Sequence, residues 1–244
     1  MIPAIYPSLK DRTVLITGGA SGIGSSIVEH FVGQGSRVFF IDKHIDAGKE
    51  MANKTGASFI ACDVRDITHL RKVIASISKI TVLVNNAAND DRHSMETVEP
   101  EYWDERMATN LRHQFFAAQS VVPQMKEARS GSIINLGSIS WVWRLGGMTA
   151  YTTAKAGVRG LTRGLARDLG GFGIRVNEVV PGWIFTERQE ALWANPEAVA
   201  AMMKQQCIAE KLSCSDVARL VLWLAADDSR LVTAQSFPID AGSS

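Results

Sequence analysis

The sequence predicts an α/β fold, a doubly wound parallel sheet in a single domain, and three observations carry that prediction. Short runs rich in β-branched residues recur along the chain, longer amphipathic stretches separate them, and a glycine-rich turn joins the first run to the first helical stretch. In order, the strand-like runs are "TVLIT" (13–17), "RVFFID" (37–42), "SFIACD" (58–63), "ITVLVN" (80–85), "SIINLG" (132–137), "IRVNEVV" (174–180) and "SFPID" (236–240). Each is nearly continuously apolar, the pattern of strands covered on both faces. Between them, "GSSIVEHFVGQG" (24–35), "THLRKVIASI" (68–77) and "AKAGVRGLTRGLARDLG" (154–170) read as helices. Strand and helix in alternation give a parallel sheet with right-handed crossovers. Residues 183–212 break this rhythm and are expected to insert one or two helices, either a substrate lid or added packing, into one catalytic domain spanning 1–244.

Composition narrows the function. The chain is 46% hydrophobic and 21% charged, with 26 Lys plus Arg against 25 Asp plus Glu, so no charge excess points to nucleic acid or an anionic membrane. Cys62, Cys207 and Cys214 are odd in number and lack CxxC spacing, which fits thiols in a reducing cytoplasm. Met1–Lys10 has no leader-like order of charge, apolar run and small residues, and "LVLWLAA" (220–226) is too short to span a bilayer. The five histidines form no HExxH or other ligand spacing, so no metal site is expected, and no GxSxG elbow occurs.

The turn "TGGASGIG" (17–24) carries the first chemistry. Gly18, Gly22 and Gly24 allow a tight turn and close backbone approach to a pyrophosphate, and Ser21 and Ile23 stand with them where the helix begins, beside unpaired N–H groups. Asp42 ends the second strand eighteen residues after Gly24, where an acidic side chain meets an adenosine ribose. A carboxylate there bonds both ribose hydroxyls and repels a 2′-phosphate, which argues for NAD. Lys43 partly offsets that repulsion and leaves NADP open as a second cofactor. In "YTTAK" (151–155), Tyr151 and Lys155 are one helical turn apart and share a face, where an ammonium lowers the pKa of a phenol.

These motifs together resemble the short-chain dehydrogenase/reductase family, with its Rossmann-like fold. "TGGASGIG" has the TGxxxGxG spacing; "CDV" (62–64), "NNAA" (85–88), Asn110, Ser138, "YTTAK" and "NEVVPG" (177–182) follow in the family order, with Tyr151 thirteen residues after Ser138. The resemblance implies Tyr151 as acid/base, Lys155 as holder of the nicotinamide ribose, Ser138 as donor to the reacting oxygen and Asn110 as anchor of a relay water. It also implies Asp63 and Val64 beside the adenine, Asn86 and Ala87 beside the adenosine ribose, and Pro181, Gly182, Ile184 and Thr186 at the nicotinamide. Ala88 stands where the family more often has glycine, and "IDAG" (239–242) replaces the commoner D-G-G ending. A homotetramer or dimer built on helices around 112–128 and 152–169 is implied as well.

Substrate is read from the surroundings. "NDDRH" (89–93) places two carboxylates, an Arg and a His at the expected cleft, and "SISWVW" (138–143) adds tryptophans whose faces suit a sugar ring. "NAANDDRH", "YWDER" (102–106), "NLRH" (110–113) and "RQE" (188–190) resemble the bacterial pentose 1-dehydrogenases. That resemblance implies an NAD(P)-dependent sugar dehydrogenase oxidising C1 of an aldose to an aldonolactone. Asp90, Asp91, His93, Ser138, Trp141 and Gln189 are the candidate substrate contacts. The competing readings are a polyol dehydrogenase or 3-oxoacyl-carrier-protein reductase, and a silent NAD-binding sensor.

Overall fold

The computed structural model describes residues 4–244; Met1 to Pro3, with which the leader and domain expectations begin, lie outside the described residues. Seven parallel strands form one sheet: β1 (Thr13–Thr17), β2 (Arg37–Asp42), β3 (Ser58–Ala61), β4 (Ile80–Asn85), β5 (Gly131–Leu136), β6 (Ile174–Pro181) and β7 (Ser236–Ile239). Their order is β3-β2-β1-β4-β5-β6-β7. Strands β1 and β5 are buried at every residue, which explains the apolar residues Val14–Ile16 and Ile133–Ile134 at their centres.

Helices cover both faces. On one lie α1 (Gly22–Gly33), α2 (Ile45–Thr55) and α9 (Cys214–Ala225); on the other lie α3 (Ile67–Ala75), α5 (His113–Ala128) and α6 (Thr149–Leu169). Ile27, Val28 and Phe31 of α1 pack with Val217, Ala218 and Val221 of α9 and with the alternate strand residues Val14 and Ile16. Leu15, on the opposite side of β1, joins Leu70, Ala117, Val121 and Ala166. α4 (Pro100–Met107) runs through a π-helical turn, Ala108–Arg112, into α5. Strand order reverses between β1 and β4, so a crevice opens beyond their C-terminal ends, where open α/β sheets place ligands.

The inserted segment contains α7 (Glu187–Leu192) and α8 (Pro196–Met203). Its two ends meet, because Ile184 bridges Leu212 and the Phe185 N–H donates to the Leu212 carbonyl at 3.0 Å. The excursion is thus closed where it leaves and rejoins the sheet. No helix among the described residues is long and apolar enough to cross a membrane.

Candidate active site

The crevice holds a cavity of about 1270 Å³, and every residue assigned to the cofactor from the sequence, from Gly18 to Thr186, lines it. Its floor is the turn between β1 and α1. Gly18 has φ +68°, and a Cβ there would stand 2.8 Å from the Ala87 Cα; a Cβ on Gly24 would stand 1.9 Å from the Gly18 carbonyl oxygen. Side chains at either position would close the cradle. Asn86 locks it: its Nδ2 donates to the Thr17 and Gly18 carbonyls at 3.0 and 2.8 Å, while Thr17 Oγ1 accepts from the Asn86 and Ala87 N–H groups, both at 3.0 Å. No side chain caps α1, which leaves its first-turn N–H groups to a ligand anion.

Asp42 is buried at the end of β2, and its carboxylate is aimed by two backbone donors, Ala20 N–H at 3.1 Å and His44 N–H at 3.0 Å. Lys43 beside it is exposed. Asp63 is paired with Arg65 at 2.5 Å, and that hydrogen-bonded guanidinium holds its carboxyl below the ordinary range. Glycine cradle, bare helix start and buried carboxylate fit an adenine dinucleotide.

At the cavity's inner end, Ser138 follows β5 while Tyr151 and Lys155 project from the first turns of α6. Lys155 is 1% exposed, its Nζ donates to the Leu136 carbonyl at 2.7 Å, and it lies 5.7 Å from the Tyr151 ring centroid. Burial pushes the ammonium down to about 8, with Glu178 and then Asp90 pulling it back up. The phenol differs from the sequence expectation. Burial pushes Tyr151 up to about 12; a hydrogen bond with Ser138 opposes the rise, Asp90 adds to it and Arg92 opposes it. With burial the dominant effect, the phenol is neutral through the physiological range. A neutral phenol beside a serine hydroxyl and an ammonium can hand a proton to an oxygen held between them, and it takes one from that oxygen only after losing its own.

Asn110 does not face the cavity. It is fully buried in the π-helical turn, where Oδ1 accepts from the Asn89 N–H at 2.8 Å and Nδ2 donates to the Asn89 and Arg106 carbonyls at 3.1 and 2.9 Å. Its side chain therefore fixes the loop after β4. Of the substrate candidates, Asp90, Ser138 and Gln189 line the cavity, whereas Asp91, His93 and Trp141 do not. His93 is used structurally: Nε2 accepts from the Ala150 N–H at 3.2 Å at the start of α6, and Nδ1 meets the Tyr102 hydroxyl at 3.2 Å. Asp91 takes Asn89 Nδ2 at 2.9 Å and Arg106 at 3.3 Å. Trp141 lines a separate, smaller pocket with Arg144 and Thr152.

The sequence reading passed over several groups. Trp183 and Trp193 line the cavity, and Trp143, quoted but not chosen, joins them. Arg188 ties α7 to the loop after β4, meeting Asp90 at 2.5 Å and Asp91 at 2.6 Å; Gln189 Nε2 donates to Asp90 at 2.7 Å, and Gln189 Oε1 accepts from Trp183 Nε1 at 3.0 Å. Arg92 stacks over Trp193 at 5.1 Å. An Arg next to the chosen Gln189 in "RQE" was the available signal for the first of these. Among the described residues no group of three or more His, Cys, Asp or Glu could hold a metal ion.

Fold, cradle and the Ser–Tyr–Lys cluster define a class of nucleotide-dependent oxidoreductase, and comparison with known proteins agrees. A family model described as enoyl-(acyl carrier protein) reductase matches residues 18–244, and the chain belongs to the short-chain dehydrogenase/reductase family. It is 45% identical to a D-xylose 1-dehydrogenase of Caulobacter vibrioides over 99% of both chains. It is 43% identical to a probable galactose dehydrogenase of Rhizobium meliloti, covering 97% of this chain and 96% of that one. A 3-oxoacyl-[acyl-carrier protein] reductase of Brucella melitensis, solved with bound NAD, superposes with a TM-score of 0.88 at 29% identity, over 98% of this chain and 93% of that one.

Proposed function

We propose that this protein oxidises the C1 hydroxyl of a cyclic aldose, a pentose or 6-deoxyhexose pyranose, to an aldonolactone, with NAD preferred over NADP. The observation that carries the sugar reading is its full-length likeness to two sugar dehydrogenases, at 45% and 43% identity. The cavity's inner end supports it: Asp90 and Gln189 offer hydrogen bonds to hydroxyls, and Trp143, Trp183 and Trp193 offer flat faces to ring C–H groups. The buried carboxylate of Asp42 supports NAD.

In this reading the glycine turn and α1 hold the pyrophosphate, Asp42 the adenosine ribose, and the Pro181–Thr186 stretch the nicotinamide end. Bound NAD(P) supplies the hydride acceptor. Ser138 donates to the C1 oxygen, Tyr151, once deprotonated to the phenolate, takes the C1 hydroxyl proton as the hydride is lost from C1, and Lys155 orients the nicotinamide ribose and stabilises that phenolate. Asn110 acts by fixing the loop that carries Asp90. Residues 183–212 act as the lid, closed by Arg188 and Gln189 on Asp90. Assembly into a homotetramer through α5 and α6 is supported by Phe115, 42% exposed on α5, and is checked by light scattering. A cytoplasmic setting is supported by three free cysteines.

The test is a panel of aldopentoses, D-galactose, 6-deoxyhexoses and polyols, scored by absorbance of reduced cofactor with NAD and NADP in parallel. Turnover of aldoses and silence of polyols is the expected result. Silence across the aldoses, with NAD still bound, would reject the sugar reading.

A further inference from the structure

We infer that Glu178 is a positioning residue, a buried carboxylate that keeps the Lys155 ammonium charged and directed at the Leu136 carbonyl. The inference rests on the role proposed for Lys155. Glu178 lies in the middle of β6 and is 0% exposed, in a strand whose residues are otherwise almost all buried. A carboxylate in such a place is destabilising unless it meets partners. Among the described residues its one side-chain hydrogen bond comes from the Ser236 hydroxyl on β7 to Oε2, and Oε1 has none.

The position of Oε1 gives that placement a use. A Cβ built on Gly137 would lie 2.2 Å from Glu178 Oε1, so the carboxylate lies beside Gly137, the residue that ends the Leu136–Gly137 peptide. The carbonyl of that same peptide accepts from Lys155 Nζ at 2.7 Å. An anion from β6 and a cation from α6 thus flank one peptide, just before Ser138. Gly137 is the residue that makes room, since any side chain there would displace the carboxylate.

The other charged groups are few. Arg159, one turn beyond Lys155 on α6, also attracts Glu178, while burial pushes the carboxyl upward. Lys155 is further influenced by Asp90 from the loop after β4. His113 on α5 is fully buried, pushed down to about 3 by burial and then by Lys155, and is neutral near pH 7. Glu178 is therefore the first of the two anions that oppose the effect of burial on this lysine.

The experiment follows the Lys155 side-chain NMR signal, assigned with Lys155→Met, through a pH titration of the ligand-free protein, alongside NAD affinity by tryptophan fluorescence. In Glu178→Gln the Lys155 transition is expected about one pH unit or more below that of the wild type. NAD affinity should then be lost at a correspondingly lower pH. Ser236→Ala, which keeps the carboxylate but removes its donor, should shift the transition the same way by less, and it decides the matter if Glu178→Gln does not fold. Transitions that superimpose on the wild type in whichever variant folds would overturn the inference. NAD affinity unchanged in Lys155→Met would instead reject the role proposed for the lysine, leaving the NMR titration to judge Glu178.

Discussion

Replacing Asp42 by Asn should convert a cofactor preference, and the structure sets the size of the change. The carboxylate is aimed by the Ala20 and His44 N–H groups, so it meets a ribose as a fixed charge. Hydrogen bonds to a charged group contribute about 1.5–3 kcal/mol. Losing that charge should lower kcat/KM for NAD by roughly 10- to 150-fold, at about 1.4 kcal/mol per tenfold. For a 2′-phosphate at about 4 Å, the repulsion removed is up to about 4 kcal/mol at an intermediate dielectric, or as much as a thousandfold in kcat/KM for NADP. Asn keeps an oxygen for one of the two backbone donors, so the fold survives at a cost of about 1–3 kcal/mol for the other. The assay is initial rates with both cofactors at saturating sugar. An unchanged ratio of kcat/KM for NAD over NADP would refute the argument that Asp42 reads the ribose.

Three further outcomes are expected. Arg188→Gln removes two ion pairs from a half-exposed guanidinium, each contributing about 0.2–1 kcal/mol, so the KM for sugar should rise roughly 2- to 30-fold; an unchanged KM would show that the latch does not hold the lid. His113 is depressed from 6.5 to about 3, so the stability it contributes is present above pH 6.5 and is lost as pH falls toward 3. His113→Leu should flatten that acid limb of a melting-temperature profile, and parallel profiles would contradict this. Ala241 has φ +55°, a left-handed conformation that costs an L-residue about 1–2 kcal/mol, so Ala241→Gly should raise the melting temperature by a few degrees, read by calorimetry.

That last residue illustrates what a sequence shows without explaining. The "IDAG" ending is an evident departure, but its consequence needs backbone angles: Ala241 sits where glycine is at ease, and its carbonyl holds the Cys207 and Ile208 N–H groups at 2.9 and 3.1 Å. Strands were readable to within two residues: burial on both faces keeps the inner runs largely apolar, while the partly buried edge strands β3 and β7 were marked by Phe59 and Ile60 and by Phe237 and Ile239. α2 was passed over because it buries only Gly48 and Met51 and so carries little apolar periodicity. The residues assigned to a cofactor could be read as cavity lining because they hang on strand ends and one glycine turn, which spacing locates. Those assigned to a sugar could be read only in part, since the path of the loop after β4 decides which side chains face inward. Asn110 and His93 show why: one is clamped inside a π-helical turn, the other spends its ring on the first turn of α6. Neither arrangement leaves a period in the sequence.

The measurement closest to the central claim is product analysis of a single purified reaction: D-xylose or D-galactose with NAD, wild type beside Tyr151→Phe. The account predicts one reduced cofactor per sugar, an aldonolactone as first product, a rate that rises with pH, and loss of turnover in the variant. Oxidation at another carbon, or normal turnover by Tyr151→Phe, would contradict it.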